Sequence, residues 1–179
     1  MAIQSILNQC YKVDELIVID DGSTDNSQEI IKCYDVRLIK LKENKGRGFV
    51  RNLAICECKN ELILCCDATN SLDRKFLSNA LKHFNNNSDI CSVSGVIKAK
   101  KQIGAVCRWR SRHLFKEEVK YADGQITNTA LVTYGTLVRR SMILEAGNFD
   151  PIYKHSEDEE LGERLLHKGY KSIGDPALI

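Results

Sequence analysis

Short apolar runs alternate along this chain with segments whose apolar residues recur at helical spacing. The short runs are rich in β-branched residues and predict buried strands, because they are too short for helices. Apolar residues three and four positions apart predict amphipathic helices between them. The predicted strands are 16–19, 36–39, 61–66, 90–97 and 134–138, with a last strand near Lys171. The predicted helices are 2–10, 50–55, 72–84 and 141–146, and two that begin near Asn26 and Ser156.

Strands that alternate with helices at this pitch indicate an α/β fold, with helices on both faces of a mostly parallel, mixed sheet. The 179 residues contain no repeat, linker or low-complexity tract, so we expect a single domain over 1–179. A net charge of +2 argues against nucleic-acid binding. No apolar run reaches the roughly 20 residues of a membrane span, and the N-terminus lacks a signal-peptide pattern, so we expect a cytoplasmic protein.

Eight cysteines raise the question of a metal site or a disulfide framework. The nearest groupings, Cys56 with Cys58 and Cys65 with Cys66, lack the two-residue separation that is typical of zinc ligands. Cys65 and Cys66 end an apolar run and read as small buried residues. We therefore expect reduced thiols.

The strand 16–19 leads into two adjacent carboxylates, Asp20 and Asp21, and a Gly-Ser-Thr turn. Asp25 then offers a helix cap, with Gln28 three residues later to complete a capping box. Ligands of α/β proteins bind beyond the carboxyl ends of strands, where both carboxylates are expected. A helix cap with a solvated acidic pair explains the same residues, and the local pattern leaves both interpretations open.

Segment 98–120 is strongly basic, with Trp109 among its lysines and arginines and only Glu117 and Glu118 opposing them. A helix of this kind suits an anionic lipid surface or a phosphate-bearing substrate. A solvated helix whose single aromatic side chain packs inward explains the same composition. Peripheral contact with the inner face of a membrane is therefore one of two expectations here.

Six motifs follow one another in the order of a known family. They are 19–25, 44–52, 64–69, 135–140, 147–150 and 157–170. Together they resemble glycosyltransferase family 2, over nearly the whole chain. The resemblance implies a GT-A fold, a three-layer α/β/α architecture, and inverting transfer of a sugar from a UDP-, GDP- or dTDP-sugar. The acceptor would be a saccharide or a lipid-linked acceptor in cell-envelope polysaccharide biosynthesis.

The resemblance also assigns roles to individual residues. On the donor side it implies Asp20, Asp21, Ser23, Gly46, Arg51, Asp67 and Ala68. On the acceptor side it implies Gly135, Thr136 and Arg139. It makes Asp158 the base that takes the proton of the acceptor hydroxyl, with Glu157 beside it as a catalytic residue. The helix macrodipole alone also favours acidic residues in a first helical turn, without any catalysis.

A divalent metal, Mn²⁺ or Mg²⁺, is implied by the Asp-x-Asp pattern of the family. Here Asp67 matches the first position and Thr69 stands at the second. A threonine hydroxyl is a weak substitute for an anionic oxygen ligand. Asn70 and Asp73 lie close by in sequence and are candidates to compensate. Metal binding is left open by the sequence.

The chain departs from the family pattern at both ends. Family members open with an apolar strand that is central in the sheet, and this sequence starts at the following helix. Its last residues stop inside a strand-like run, so we expect a domain truncated at both ends. Several explanations of these departures are open. The chain is a fragment, its start is misplaced, the protein is degenerate, or a partner chain or dimer completes the sheet. Unpaired strand edges would be costly if buried.

Two other functions stay open at this point. A non-catalytic module that binds a nucleotide sugar or another protein would keep the fold and tolerate both Thr69 and the absent strand. A nucleotidyltransferase that makes nucleotide sugars shares the general architecture, but its glycine-rich basic phosphate loop is not visible near the start of this sequence.

Overall fold

The computed structural model describes residues 1–85, 87–97 and 127–179. The basic segment 98–120 lies outside them, so its predicted membrane or phosphate contact stays a prediction. The described helices are α1 (Ala2–Leu7), α2 (Ser27–Lys32), α3 (Arg47–Glu57), α4 (Phe76–Phe84), α5 (Arg140–Glu145) and α6 (Glu157–His167). The described strands are β1 (Ile17–Asp20), β2 (Arg37–Lys40), β3 (Leu62–Cys65), β4 (Ile90–Ser94), β5 (Thr127–Asn128), β6 (Thr136–Arg139) and β7 (Lys171–Gly174).

The strands form two separate sheets. β1 and β2 pair in parallel and make a two-stranded sheet, while the others form a five-stranded sheet in the order β3-β6-β4-β7-β5. The α/β class is as predicted, but the expectation of a mostly parallel sheet needs correction. Among the described residues, three of the five strand pairings are antiparallel. The reason is that β6 inserts between β3 and β4 and runs against both.

Apolar side chains cover both faces of the five-stranded sheet and produce three layers. On one face, strand residues such as Ile63 and Val138 pack under α3, α5 and α6. On the other face, Leu137 and Val93 pack under α4. Neighbouring residues of β6 thus pack into the cores on opposite faces of the sheet, as the two-residue period of a strand requires. The predicted α/β/α layering follows from this alternation.

The predicted capping box of Asp25 and Gln28 does not form, and Ser156 does not cap the helix that follows it. Asp25 accepts a hydrogen bond from the N–H of Ser27 (3.0 Å), but Gln28 reaches back to Asp20 instead of to Asp25. Ser156 precedes α6 with φ 57°, in the left-handed region, and its hydroxyl makes no capping bond. Both helices are therefore positioned by tertiary contacts rather than by local capping.

Seven of the cysteines lie in the described residues, and all seven are free thiols. Burial raises the pKa of Cys65 to about 12 and the pKa of its neighbour Cys66 to about 11. Both thiols therefore stay protonated near neutral pH, which suits a packing role. Within the described ranges, none of the helices has the length and hydropathy needed to traverse a bilayer.

Candidate active site

The two adjacent carboxylates at the end of β1 have different environments. Asp20 is 4% exposed, and its oxygens accept hydrogen bonds from the N–H of Ser23 (3.0 Å) and from Nε2 of Gln28 (2.6 Å). Hydrogen bonding from Ser23, which outweighs the opposing effect of burial, holds the pKa of Asp20 below its ordinary value of 3.8. Asp20 therefore fixes the turn, while the side chain of Ser23 is exposed.

Asp21 joins the same turn to the start of α3. Its carboxylate accepts hydrogen bonds from the backbone N–H groups of Lys45 (2.7 Å) and Gly46 (3.0 Å). Gly46 has φ 90°, a conformation that costs little only for glycine, and this lets its N–H turn toward Asp21. The predicted donor-side residues Asp21 and Gly46 thus meet in the structure.

Arg51 connects α3 with the end of β3 and the start of α6. Its side chain is 13% exposed, and Nη2 donates to Oδ1 of Asp67 at 3.2 Å. Its Nη1 forms an ion pair with Oε1 of Glu157, whose carboxylate is fully buried. Nε of Arg47 lies 4.0 Å from the same oxygen. One buried acidic residue therefore holds the arginine that contacts Asp67.

Glu157 and Asp158 are adjacent at the start of α6 but differ in surroundings. Glu157 is fully buried and forms an ion pair with Arg51, and its predicted catalytic role stays a prediction. Asp158 is partly exposed, and its Oδ2 accepts a hydrogen bond from the hydroxyl of Thr133 at 3.1 Å. The role of Asp158 as the base stays a prediction.

The three residues predicted on the acceptor side do not lie together. Gly135 and Thr136 are buried near the end of β3, where Thr136 pairs with Cys65. Arg139 pairs with the opposite end of β3, and it donates from Nε to the carbonyl of Ile90 (3.3 Å). Because β6 runs antiparallel to β3, three residues along it lead about 10 Å away from Asp67. Arg139 thus lies at the far end of β6 from Asp67, and the acceptor-side roles of all three residues stay predictions.

A cavity of about 710 Å³ is lined by part of the predicted site, namely Asp21, Arg51, Asp67 and Ala68, together with Arg47 and Thr133. Other predicted residues do not line it: Ser23, Gly46, Gly135, Thr136 and Asp158. Asp20 does not line the cavity, since its carboxylate is turned into the loop. Two carboxylates beside two guanidinium groups can bind hydroxyl groups and phosphate oxygens in one place.

The residues predicted to hold a metal ion do not form a metal site by themselves. Asp67 already contacts Arg51, and Thr69 is exposed. Asn70 donates from Nδ2 to the carbonyl of Tyr134 (2.6 Å), and Asp73 caps Lys75 (2.9 Å). In the described part of the chain, no three His, Cys, Asp or Glu side chains are grouped as metal ligands. One carboxylate and one hydroxyl fall short of the oxygen ligands that Mg²⁺ or Mn²⁺ requires.

The family profile described as "Glycosyl transferase family 2" matches residues 1–146. This chain belongs to glycosyltransferase family 2. A poly-beta-1,6-N-acetyl-D-glucosamine synthase of Staphylococcus aureus is 27% identical over 188 residues, which is 97% of this chain and 44% of that protein. The synthase of the same name from Staphylococcus epidermidis is 31% identical over 97 residues, 52% of this chain and 24% of that protein. This family 2 chain therefore spans less than half of the length of either relative.

Solved structures confirm the GT-A fold of this family 2 chain. Residues 1–349 of Staphylococcus aureus TarS in complex with UDP-GlcNAc align with a TM-score of 0.72 at 17% identity, over 97% of this chain and 50% of that TarS fragment. Mannosyltransferase PcManGT from Pyrobaculum calidifontis, in complex with GDP-Man and Mn²⁺, aligns with a TM-score of 0.71 at 20% identity, over 97% of this chain and 49% of PcManGT.

The sequence analysis did not identify two residues of the candidate site, Arg47 and Thr133. Arg47 lines the cavity and its Nη2 lies 2.9 Å from Nδ1 of His155. One helical turn separates Arg47 from Arg51, and that spacing places both side chains on one face of α3. The sequence therefore held a signal for Arg47. It held none for Thr133, which approaches Asp158 only through the tertiary fold.

Proposed function

We propose that this chain forms the donor site and carries the base of an inverting glycosyltransferase that uses a nucleotide sugar. The observation that carries the proposal is the single cavity lined by Asp21, Asp67 and Arg51, with Asp158 hydrogen-bonded to another lining residue, Thr133. Carboxylates suit the ribose and base, which offer hydrogen-bond donors. Guanidinium groups suit the diphosphate leaving group, whose negative charge grows during transfer.

The proposed step is a single displacement. Asp158 takes the proton of the acceptor hydroxyl, and the acceptor oxygen forms a bond to the anomeric carbon of the donor sugar. The bond between that carbon and the diphosphate oxygen breaks on the opposite side, so the configuration inverts. The nucleoside diphosphate leaves with the bonding electrons, and Arg47 and Arg51 stabilise its charge.

The donor we favour is a UDP-N-acetylhexosamine. The synthases named above make a polymer of N-acetyl-D-glucosamine, and the TarS structure contains UDP-GlcNAc. The acceptor would be a saccharide or lipid-linked saccharide. Calorimetric titration with UDP-GlcNAc and with GDP-mannose, each with Mn²⁺ and with EDTA, tests both the nucleotide and the metal. Absence of binding to both donors would contradict the proposed donor site.

Asp158→Asn tests the base separately from donor binding. We expect transfer to an oligosaccharide acceptor to fall about 10²–10⁴-fold, the usual contribution of a general base. The affinity for UDP should stay within about twofold, because Asp158 is not assigned to donor contacts. Glu159→Gln is the matched control, since Glu159 is the next residue of α6 and is exposed. Equal loss in both variants would remove the base assignment.

A non-catalytic nucleotide-sugar-binding module is the second candidate. Its support is that Asp67 is engaged by Arg51 and that Thr69 replaces the second carboxylate. Thr69→Asp separates the two functions. Metal-dependent hydrolysis of UDP-GlcNAc that appears only in this variant would indicate an otherwise complete but weakened site. Donor binding without turnover in both proteins would favour the module.

A further inference from the structure

Thr133 is a buried polar residue that contacts the proposed base. It lies three residues before β6 and is 1% exposed. Its hydroxyl donates a hydrogen bond to Oδ2 of Asp158 at 3.1 Å, although 25 residues separate the two in sequence. A buried hydroxyl without an acceptor is costly, and Asp158 supplies the acceptor here. Packing therefore fixes Thr133, and the partly exposed Asp158 is attached to it.

Local packing holds the chain around Thr133 against the helix that carries Asp158. Leu131 is 2% exposed and belongs to the same core as Leu161 of α6. Gly162 permits a close approach at this point, because a Cβ atom added to it would lie 3.1 Å from Cβ of Leu131 and 3.2 Å from its backbone nitrogen. The backbone at Leu131 therefore lies directly against α6.

The two contacts with α6 have matching spacing on both elements. Leu131 and Thr133 are two residues apart, and such side chains lie on one side of an extended chain, about 6.6 Å from each other. Asp158 and Gly162 are one helical turn apart, about 6 Å along the axis and on the same face. Segment 131–133 thus lies along α6 and is attached to it at two points, one apolar and one polar.

Both carboxylate oxygens of Asp158 have a hydrogen-bond donor. Oδ1 accepts the backbone N–H of Glu159 at 3.1 Å, and Oδ2 accepts the hydroxyl of Thr133. One donor on each oxygen fixes the orientation of the carboxylate plane. Each oxygen keeps a second lone pair. The carboxylate is therefore held in place and is still able to accept a proton.

Thr133 also links Asp158 to the cavity of the candidate site. Thr133 lines this cavity together with Asp67, whereas Asp158 does not line it. Thr136 pairs with Cys65 in the antiparallel ladder of β6 and β3. The chain ahead of Thr136 therefore runs beside the chain that leads from Cys65 to Asp67. This arrangement places one buried hydroxyl between the cavity wall and the carboxylate of Asp158.

We propose that Thr133 is a positioning residue for the base of the transfer reaction. The inference rests on the proposed function, in which Asp158 takes the proton of the acceptor hydroxyl. The hydroxyl of Thr133 holds Oδ2 of Asp158 beside the donor cavity, so the carboxylate is oriented before the acceptor binds. Thr133 transfers no proton itself. Orientation matters because a catalytic group misplaced by about 1 Å can slow a reaction about 100-fold.

Thr133→Val removes the hydroxyl at nearly constant volume. Release of UDP from UDP-GlcNAc in the presence of the oligosaccharide acceptor measures transfer to the saccharide and to water. We expect kcat to fall at least about tenfold, because the base loses its orientation. The KM for UDP-GlcNAc and the affinity for UDP should stay within about twofold, since valine fills nearly the same space in the cavity wall. An unchanged kcat would overturn the proposal.

Two further substitutions of Thr133 vary the strength of the donor. Thr133→Ser keeps the hydroxyl and should recover most of the kcat that the valine variant loses. Thr133→Cys places a weak donor of similar size there, and its kcat should also fall below that of the wild type. The cysteine variant keeps the comparison available where valine disturbs folding, which thermal unfolding of each variant detects. A serine variant as slow as the valine variant, or a cysteine variant as fast as the wild type, would overturn the proposal.

Thr129→Val is the matched control. Thr129 lies four residues before Thr133, and its backbone N–H, which valine retains, donates to the carbonyl of Ser172 at 2.9 Å. We expect kcat of this variant to stay within about twofold of the wild type. An equal fall in kcat for Thr129→Val and Thr133→Val would mean that any change in this segment slows the reaction, and would overturn the role of the hydroxyl.

A double-mutant cycle assigns the effect of Thr133 to the base. If Thr133 acts through Asp158, Thr133→Val should change kcat by less than about twofold in the Asp158→Asn background. Losses that multiply would mean that Thr133 acts elsewhere, and would overturn the proposal. A fall in kcat for Asp158→Asn but not for Thr133→Val removes this inference alone. Wild-type kcat in Asp158→Asn, or no UDP release by the wild type, removes the proposed function and this inference with it.

Discussion

The two sheets of this protein differ sharply in packing. In the five-stranded sheet all residues of β4 are buried, as are three of the four residues of β6. In the two-stranded sheet β2 has no buried residue, and Asp20 is the only buried residue of β1. α2, which follows β1, also buries none of its residues. Most of the apolar burial in the described chain therefore belongs to one sheet.

The candidate site draws residues from both regions. Asp67, Arg51 and Asp158 are held by the packed sheet and the helices that cover it, whereas Asp21 belongs to the lightly packed side. Contacts with the start of α3 attach Asp21 to the rest of the molecule. The geometry of the candidate site thus depends on how firmly the two-stranded sheet is held.

The largest loss of stability is expected on the packed side, at the buried ion pair. Glu157→Ala leaves Arg51 without its buried partner, and we expect the free energy of unfolding to fall by about 3–5 kcal/mol. Urea denaturation measures this loss. Glu160→Ala is the control, because Glu160 pairs with Arg164 four residues along the same helix, where such pairs contribute about 0.5 kcal/mol or less. Similar losses of unfolding free energy in both variants would mean that the buried pair of Glu157 and Arg51 stabilises the fold no more than the pair of Glu160 and Arg164.

Truncating a core side chain should cost slightly less stability than loss of the buried ion pair. The matched truncation on the lightly packed side should cost far less. Leu161 is fully buried in the core beneath α6, and Leu161→Ala should cost about 2–5 kcal/mol through lost contacts and a cavity. Ile30 of α2 is 52% exposed, and Ile30→Ala should change the free energy of unfolding by less than about 0.5 kcal/mol. Thermal and urea unfolding measure both. A comparable cost at Ile30 would show that the two-stranded sheet is better packed than its burial indicates.

The sequence predicted the elements well because each strand is marked by a short apolar run. It did not predict the position of β6, since strand order depends on contacts distant in sequence. It also gave no sign of β5, whose two residues carry no hydrophobic period. The mostly parallel sheet was expected from alternation alone, and alternation does not exclude an inserted antiparallel strand.

Some predicted site residues line the cavity and others do not, and the difference has a common physical cause. Asp20 and Asp21 were both expected to contact a ligand, although adjacent residues at a strand end point to opposite sides. The same reasoning applies to Glu157 and Asp158, which are 100° apart around α6. Acidic residues in a first helical turn look solvent-exposed from sequence, and only the tertiary fold places Arg51 over Glu157. The predicted roles of Asp21, Asp67 and Asp158 in donor and acceptor chemistry remain predictions.

The smallest expected effect lies on the lightly packed side and depends on pH. The pKa of Asp20 is lower in the folded protein than its ordinary value of 3.8, so the folded state favours the ionised carboxylate. Its stabilising effect is fully present above that ordinary value and is lost as the pH falls through the lowered pKa. Asp20→Asn should therefore lower stability at pH 6 and flatten the decline below about pH 4. Urea midpoints measured from about pH 2.5 to 6 test this, with exposed Asp35→Asn as the control. Parallel curves for wild type and Asp20→Asn would show that the turn does not depend on the charge of Asp20.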